Sequence, residues 1–240
     1  MKYFEVHIPY FVGKRDPKFK FAEGEVSIGS QYKVPSKILP NNVIPTQVFK
    51  ANRLLADFLQ PSADLSSRFI LSNRAKSLLE TYRSENIRFY PCPVLRGKEL
   101  VEGYWITDKV IFDDEWVDFT KSEFFLRKRK LISEENEVRA RYEVSEQIVQ
   151  FKDLSDFNNF REKEMWHMDE RYPYRIIIKE DCPHHVLSIH TTGPRYLIIS
   201  EELKNELQKQ KMDKGIEFKP LEIPDEEWGG PNGLRKQFYK

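Results

Sequence analysis

Apolar and polar positions switch between helical and strand periods several times along the chain. After Thr46, which suits an N-cap, Val48, Ala51, Leu55, Phe58 and Leu59 fall on one helical face until Pro61 breaks it, and the spacing predicts a first helix there. Phe69, Ile70 and Leu71 form a short apolar run. Ser72 then stands where an N-cap belongs, ahead of Ala75, Leu78, Leu79 and Tyr82 at helical spacing. Ile87 to Tyr90 alternates with the strand period, and Pro91 stops it.

The same phrase returns near the end of the chain. Leu197, Ile198 and Ile199 read as strand, Ser200 as N-cap, and Leu203 and Leu207 as the buried stripe of a helix that terminates near Gly215. Ile216 to Phe218 then reads as strand before Pro220. At an offset of 128, Ser72, Lys76 and Leu79 match Ser200, Lys204 and Leu207. With one residue inserted, Ile87, Phe89 and Pro91 match Ile216, Phe218 and Pro220. The pattern predicts related strand–helix–strand units over 69–91 and 197–220, the signature of an internal duplication.

Residues 1–45 read as an edge strand followed by an irregular arm. Tyr104 to Ile106, Val110 to Phe112 and Trp116 to Phe119 are short runs in the manner of a meander. Phe151 to Met168 is helix-like, while Tyr174 to Ile178 and Val186 to Ile189 are strand-like. Residues 224–240 form a tail without periodicity until Arg235. Helices interspersed among strands without strict alternation predict an α+β fold, mainly antiparallel, as a single domain over 1–240.

Composition narrows the class. At 240 residues, 40% hydrophobic and 32% charged, the chain is globular and long enough for a substantial core. Lys+Arg number 39 against 38 Asp+Glu, and this balance argues against nucleic-acid binding through overall charge. The charged start, Met1 to Glu5, lacks a signal peptide's apolar core, and no stretch matches a membrane span of about 20 apolar residues, so the expected place is the cytoplasm. Cys92 and Cys182 fit a reducing compartment as free thiols.

The search for chemistry finds no phosphate loop, nucleophile elbow or paired metal-binding histidines. Cys182, His184, His185 and His190 are the densest metal-like group but lack a second ligand pair, so no metal or cofactor is expected. Cys92, between Pro91 and Pro93, reads as a structural thiol. Arg127 to Lys130 is a basic run that Glu134, Glu135 and Glu137 balance on a solvated hairpin or helix face. Aromatic residues are 13% of the chain, more than a core of this size requires, which implies that some are exposed for binding.

Phe89 to Val94, Tyr104 to Thr107, Val117 to Ser122, Tyr196 to Leu203 and Gly215 to Phe218 together resemble the immunity proteins predicted in bacterial polymorphic toxin systems. That family pairs a strand ending in Pro-Val with a Tyr-aromatic strand, an Asp and Ser a few residues apart, and a final Ser-capped helix before a Gly-Ile-Glu-Phe strand. The resemblance spans roughly Phe69 to Leu221. The long N-terminal arm, the histidine-rich loop and the Trp228 tail depart from it.

The resemblance implies a bacterial, non-enzymatic toxin inhibitor that binds one cognate toxin non-covalently and occludes it. It is expected as a monomer or weak homodimer, with neither nucleic acid nor membrane as partner. Asp118 and Ser122 match the family pattern and are expected to close a turn. A blocker of a cationic cleft needs carboxylates for steering and a desolvated aromatic anchor. The segments offering that combination are Trp166 with Asp169 and Glu170, and Trp228 with Asp225, Glu226 and Glu227. The alternative is a hydrolase whose site is assembled from the acidic clusters or the Cys182 to His190 loop.

Overall fold

The computed structural model describes residues 1–9, 12–18, 20, 22–23, 26–27, 42–52, 55–65, 68–133, 141–164, 170–189 and 197–239. Strands and helices are mixed and nearly all strand pairing is antiparallel, an α+β arrangement. The chain divides into two compact units. One comprises Met1–Asp113, Pro183–His190 and Pro194–Pro220, and the other Asp114–Cys182, Thr191–Gly193 and Leu221–Lys240.

The first unit begins with β1 (Tyr3–His7), β2 (Lys14–Arg15), β3 (Val26–Ser27), β4 (Asn42–Val43), β5 (Gln47–Phe49) and β6 (Phe58–Leu59). It continues with β7 (Ile70–Ser72), α1 (Asn73–Tyr82), β8 (Ile87–Pro91), β9 (Val94–Arg96), β10 (Glu99–Val101) and β11 (Tyr104–Lys109). The second unit contributes β12 (Glu123–Ser133), β13 (Arg141–Val149), α2 (Leu154–Glu164) and β14 (Glu170–Arg175). The chain then returns to the first unit for β15 (Val186–Leu187), β16 (Leu197–Ser200), α3 (Glu201–Lys209) and β17 (Glu217–Pro220). It ends in the second with α4 (Asp225–Gly229) and α5 (Arg235–Phe238).

Besides a third four-stranded sheet, β10-β9-β5-β2, the first unit holds two ordered β6-β7-β11-β8 and β15-β16-β1-β17. They correspond position by position. Tyr104, Trp105 and Ile106 of β11 face Ser72, Leu71 and Ile70, as Tyr3, Phe4 and Glu5 of β1 face Ser200, Ile199 and Ile198. On the other side Trp105 faces Pro91 and Phe4 faces Pro220. The outer strands pair alike, Phe58 with Leu71 and Val186 with Ile199. Even single hydrogen bonds recur. Tyr104 Oη donates to Ala56 O at 3.2 Å, and Tyr3 Oη to His184 O at 3.0 Å. The amides of Ser72 and Ser200 donate at 2.9 Å to the carbonyls of Asp57 and His185.

Both helices start as their sequences require. Ser72 and Ser200 have extended backbones, and each side-chain oxygen accepts from the third amide beyond it, Ala75 N and Leu203 N, at 3.2 Å. Ala75 and Leu79 of α1 and Leu203 and Leu207 of α3 then bury into one core with Phe4, Val6, Leu71, Ile199 and Phe218. A fully buried Leu of this kind contributes about 1.5–3 kcal/mol. On the opposite face of the β7 sheet a smaller core gathers Phe49, Leu59, Leu65, Ile70, Val94 and Ile106.

Two expectations are corrected. β1 is an inner strand rather than an edge, because β16 and β17 flank it from the far end of the sequence. The helix expected after Thr46 is instead the short strands β5 and β6. Gln47 explains the local preference for strand: it is fully buried, donates from Nε2 to Pro45 O at 2.9 Å, and accepts from Ser62 N at 2.8 Å. β5 also lies parallel to β9, where its backbone finds partners that a helix would not need.

In the second unit β12 and β13 form a long hairpin, with β14 on the far side of β12. The basic run Arg127 to Lys130 lies in β12, a strand and not a helix, while Glu134, Glu135 and Glu137 lie outside the described residues. Phe119, Phe124, Phe151 and Phe157 are buried against one another, with ring centroids 4.9–5.7 Å apart. Part of the aromatic excess read as binding surface is therefore core. Asp118 and Ser122 close a turn as expected: Ser122 N donates to Asp118 O at 2.8 Å, and Ile177 N donates to Ser122 Oγ at 2.9 Å.

Candidate functional site

The C-terminal acidic segment is built on a tight backbone frame. Pro224 precedes α4, whose amides at Trp228 and Gly230 donate to Pro224 O at 2.9 Å and Glu226 O at 3.0 Å. A Cβ at Gly230 would stand 2.3 Å from Glu226 O, and one at Gly233 2.2 Å from Trp228 O, so only glycine permits this close approach.

Trp228 is buried, with 6% of its surface exposed. Its ring stacks on Phe238 at 5.7 Å and meets Tyr239 edge-on at 6.2 Å. It is thus the packing anchor of the segment, not the exposed hot spot that the sequence suggested. The carboxylates are what the segment presents: Asp225, Glu226 and Glu227 are all exposed. Glu227 Oε1 lies 3.2 Å from Arg175 Nη2, while Arg175 Nε reaches Glu123 Oε2 at 3.2 Å. These pairs tie α4 to β14 and β12. Acidic residues in a first helical turn also suit the local backbone dipole, which accounts for part of their placement. The arrangement can steer and hold a cationic surface.

The other aromatic-acidic candidate lies largely outside the described residues, namely Trp166 and Asp169, and Glu170 is placed only as the first residue of β14. Of the groups a hydrolase would need, Asp113 is fully buried with its Oδ1 2.8 Å from Arg83 Nη1, and its Oδ2 accepts from Ser188 N at 2.7 Å. Cys182 is buried. Burial pushes the Cys92 thiol up to about 12, which suits a packed thiol and not a nucleophile. His184 serves through its carbonyl, His185 Nδ1 pairs with Ser200 Oγ at 2.9 Å, and His190 lies outside the described residues. The Asp118 carboxyl is held below its usual range by the Thr120 hydroxyl donating to it, then by Lys121, as befits a turn.

Sequence reasoning missed a set of buried charges. Arg68 Nη2 meets Asp108 Oδ1 at 3.0 Å with both side chains buried, and Lys109 beside them is buried too. Desolvation, then the neighbouring Arg68 charge, lowers the Lys109 amine to about 7, partly offset by Asp113. A second set lies where the two large sheets differ. Glu5 takes the place that Ile106 holds in the other sheet and meets His7 Nε2 at 2.9 Å and Lys219 Nζ at 3.7 Å. Charged residues inside strand-like runs were the available signal. No protein-family model matches the chain, and no curated protein matches it.

Proposed function

We propose that the protein is an immunity protein that binds a cognate bacterial toxin in the cytoplasm and neutralises it by non-covalent occlusion. The observation that carries this reading is the acidic segment, in which Asp225, Glu226 and Glu227 stand exposed on a short helix that buried Trp228 anchors. Carboxylates clustered on an anchored backbone accelerate encounter with a cationic cleft. The matched sheets supply the scaffold, and we take them as products of duplication. In chain order each copy runs middle strand, outer strand, Ser-ended strand, helix, last strand. The two copies have exchanged their middle strands, β1 and β11.

The test is co-expression of the chain with the toxin domain encoded by the adjacent reading frame. Growth rescue and co-purification are expected for the native chain. Loss of both with Asp225→Lys/Glu226→Lys/Glu227→Lys, while the variant stays folded, supports the assignment. Failure of the native chain to bind or rescue overturns it, and undiminished binding by the triple variant moves the interface elsewhere.

A further inference from the structure

Two fully buried side chains of the first unit each keep an oxygen without a hydrogen-bond partner among the described residues. They are Asn86, through Oδ1, and Ser188, through Oγ. Protein interiors satisfy nearly all such atoms, either from the chain or from ordered water.

The bonds around these two residues bring them to one place. Asn86 Nδ2 donates to Val186 O at 3.1 Å, and Arg83 Nη1 reaches the same carbonyl at 3.0 Å and Asp113 Oδ1 at 2.8 Å. Asp113 in turn holds Ser188 twice: its Oδ2 accepts from Ser188 N at 2.7 Å, and its own amide donates to Ser188 O at 2.7 Å. Val186 shares a core with Ala75 and Leu79, so it faces α1, and Asn86 follows that helix. Ser188 stands two positions beyond Val186, which by strand alternation keeps the same face at roughly 6–7 Å.

The orientation of the Asn86 amide is fixed, because turning it over would set Oδ1 against the Val186 carbonyl. Oδ1 is therefore an acceptor in need of a donor. A direct bond from the Ser188 hydroxyl would satisfy both atoms, yet neither has a partner, so they stand beyond hydrogen-bond reach of each other. A ligand between them must donate to Oδ1 and either donate to Oγ or accept from it. Arg83 stands against a cation here, and Asp113 against an anion. Water meets these conditions, and it is the usual partner of buried polar atoms that a chain leaves unsatisfied.

We propose that a buried water binds between the segment after α1 and the end of β15, donating to Asn86 Oδ1 and pairing with Ser188 Oγ. It extends the bridge by which Arg83 and Asp113 tie residues 83–86 to β15. The matching place in the other sheet cannot form it: at the spacing that aligns Ile87 with Ile216, Gly215 stands for Asn86 and has no side chain to reach across.

A crystal structure of the full-length chain, at a resolution that places ordered water, and the stability of Ser188→Ala test the assignment. Density for one water is expected within hydrogen-bond distance of both Asn86 Oδ1 and Ser188 Oγ. Ser188→Ala distinguishes a bonded hydroxyl from an orphaned one. Removing an orphan leaves the urea midpoint unchanged or raises it, whereas removing a partner of the water is expected to lower it. In the crystal structure of that variant the water density is expected to weaken or vanish. No density between the two atoms, an ion in that place, or direct bonds from both atoms to protein groups overturns the proposal. So does a Ser188→Ala chain no less stable than the native one.

Discussion

Lys204 holds its ammonium 4.1 Å from the centre of the Phe4 ring, and Lys76 stands over Trp105 at 4.9 Å in the same way. Each contact joins a helix to the middle strand of its own sheet, and for Lys204 that strand is the start of the chain. Cation–π contacts contribute about 0.5–1 kcal/mol at exposed sites.

The capping serines are expected to act alike. Ser72→Ala and Ser200→Ala should each cost about 1–2 kcal/mol, because besides its cap Ser72 Oγ donates to Asp57 Oδ1 at 2.5 Å and Ser200 Oγ pairs with His185 Nδ1 at 2.9 Å. Urea unfolding followed by circular dichroism measures both. A neutral Ser200→Ala would show that its bond to Leu203 N carries no stability.

Arg83→Met leaves Asp113 buried beside its former partner and should destabilise by about 3–5 kcal/mol. The double variant Arg83→Met/Asp113→Asn removes the orphaned charge while keeping an acceptor for Ser188 N. It should recover part of that loss in the same unfolding assay. Equal losses in the single and double variants would count against the ion pair.

Lys109 makes stability depend on pH. Its folded-state value, about 7, lies below the ordinary 10.5, so between these values the unfolded chain holds a proton that the folded chain has released. Unfolding free energy therefore gains a contribution that rises with pH across this window, and below about pH 7 the full penalty applies. Lys109→Met should stabilise more at pH 6.5 than at pH 9.5, flattening the profile measured by denaturant titration. Parallel profiles for the two proteins would contradict it.

Trp228→Ala should cost about 3–5 kcal/mol by emptying the space against Phe238 and Tyr239. Exposed Glu226→Lys should stay within about 0.5 kcal/mol. Thermal unfolding separates the two, and a Trp228→Ala variant as stable as the native chain would remove the anchoring role.

The two serine-capped units were readable because a cap, a helical stripe and a stopping proline each leave a local mark. Their correspondence reached the level of Lys76 with Lys204. What stayed hidden is non-local. Val48, Ala51, Leu55 and Phe58 fit a helical stripe, yet β5 bonds to β9 and β2, and no local spacing reports partners so far along the chain. Asp113 stands in an acidic run with Asp114 and Glu115, and no local spacing marks its pairing with Arg83. Trp228 was visible as an aromatic among carboxylates, but the ring that buries it, Phe238, belongs to a tail with little periodicity.

The placement of β1 has a consequence for synthesis. Tyr3–His7 is synthesised well ahead of its partners Leu197–Ser200 and Glu217–Pro220. At about 5–20 residues per second, the nascent chain carries that strand unpaired for on the order of ten to forty seconds. Tyr3, Phe4 and Val6 all belong to the interior, so until those partners emerge the growing polypeptide exposes an apolar strand that chaperones can hold. A product truncated before β16 lacks both neighbours of this strand and keeps it exposed.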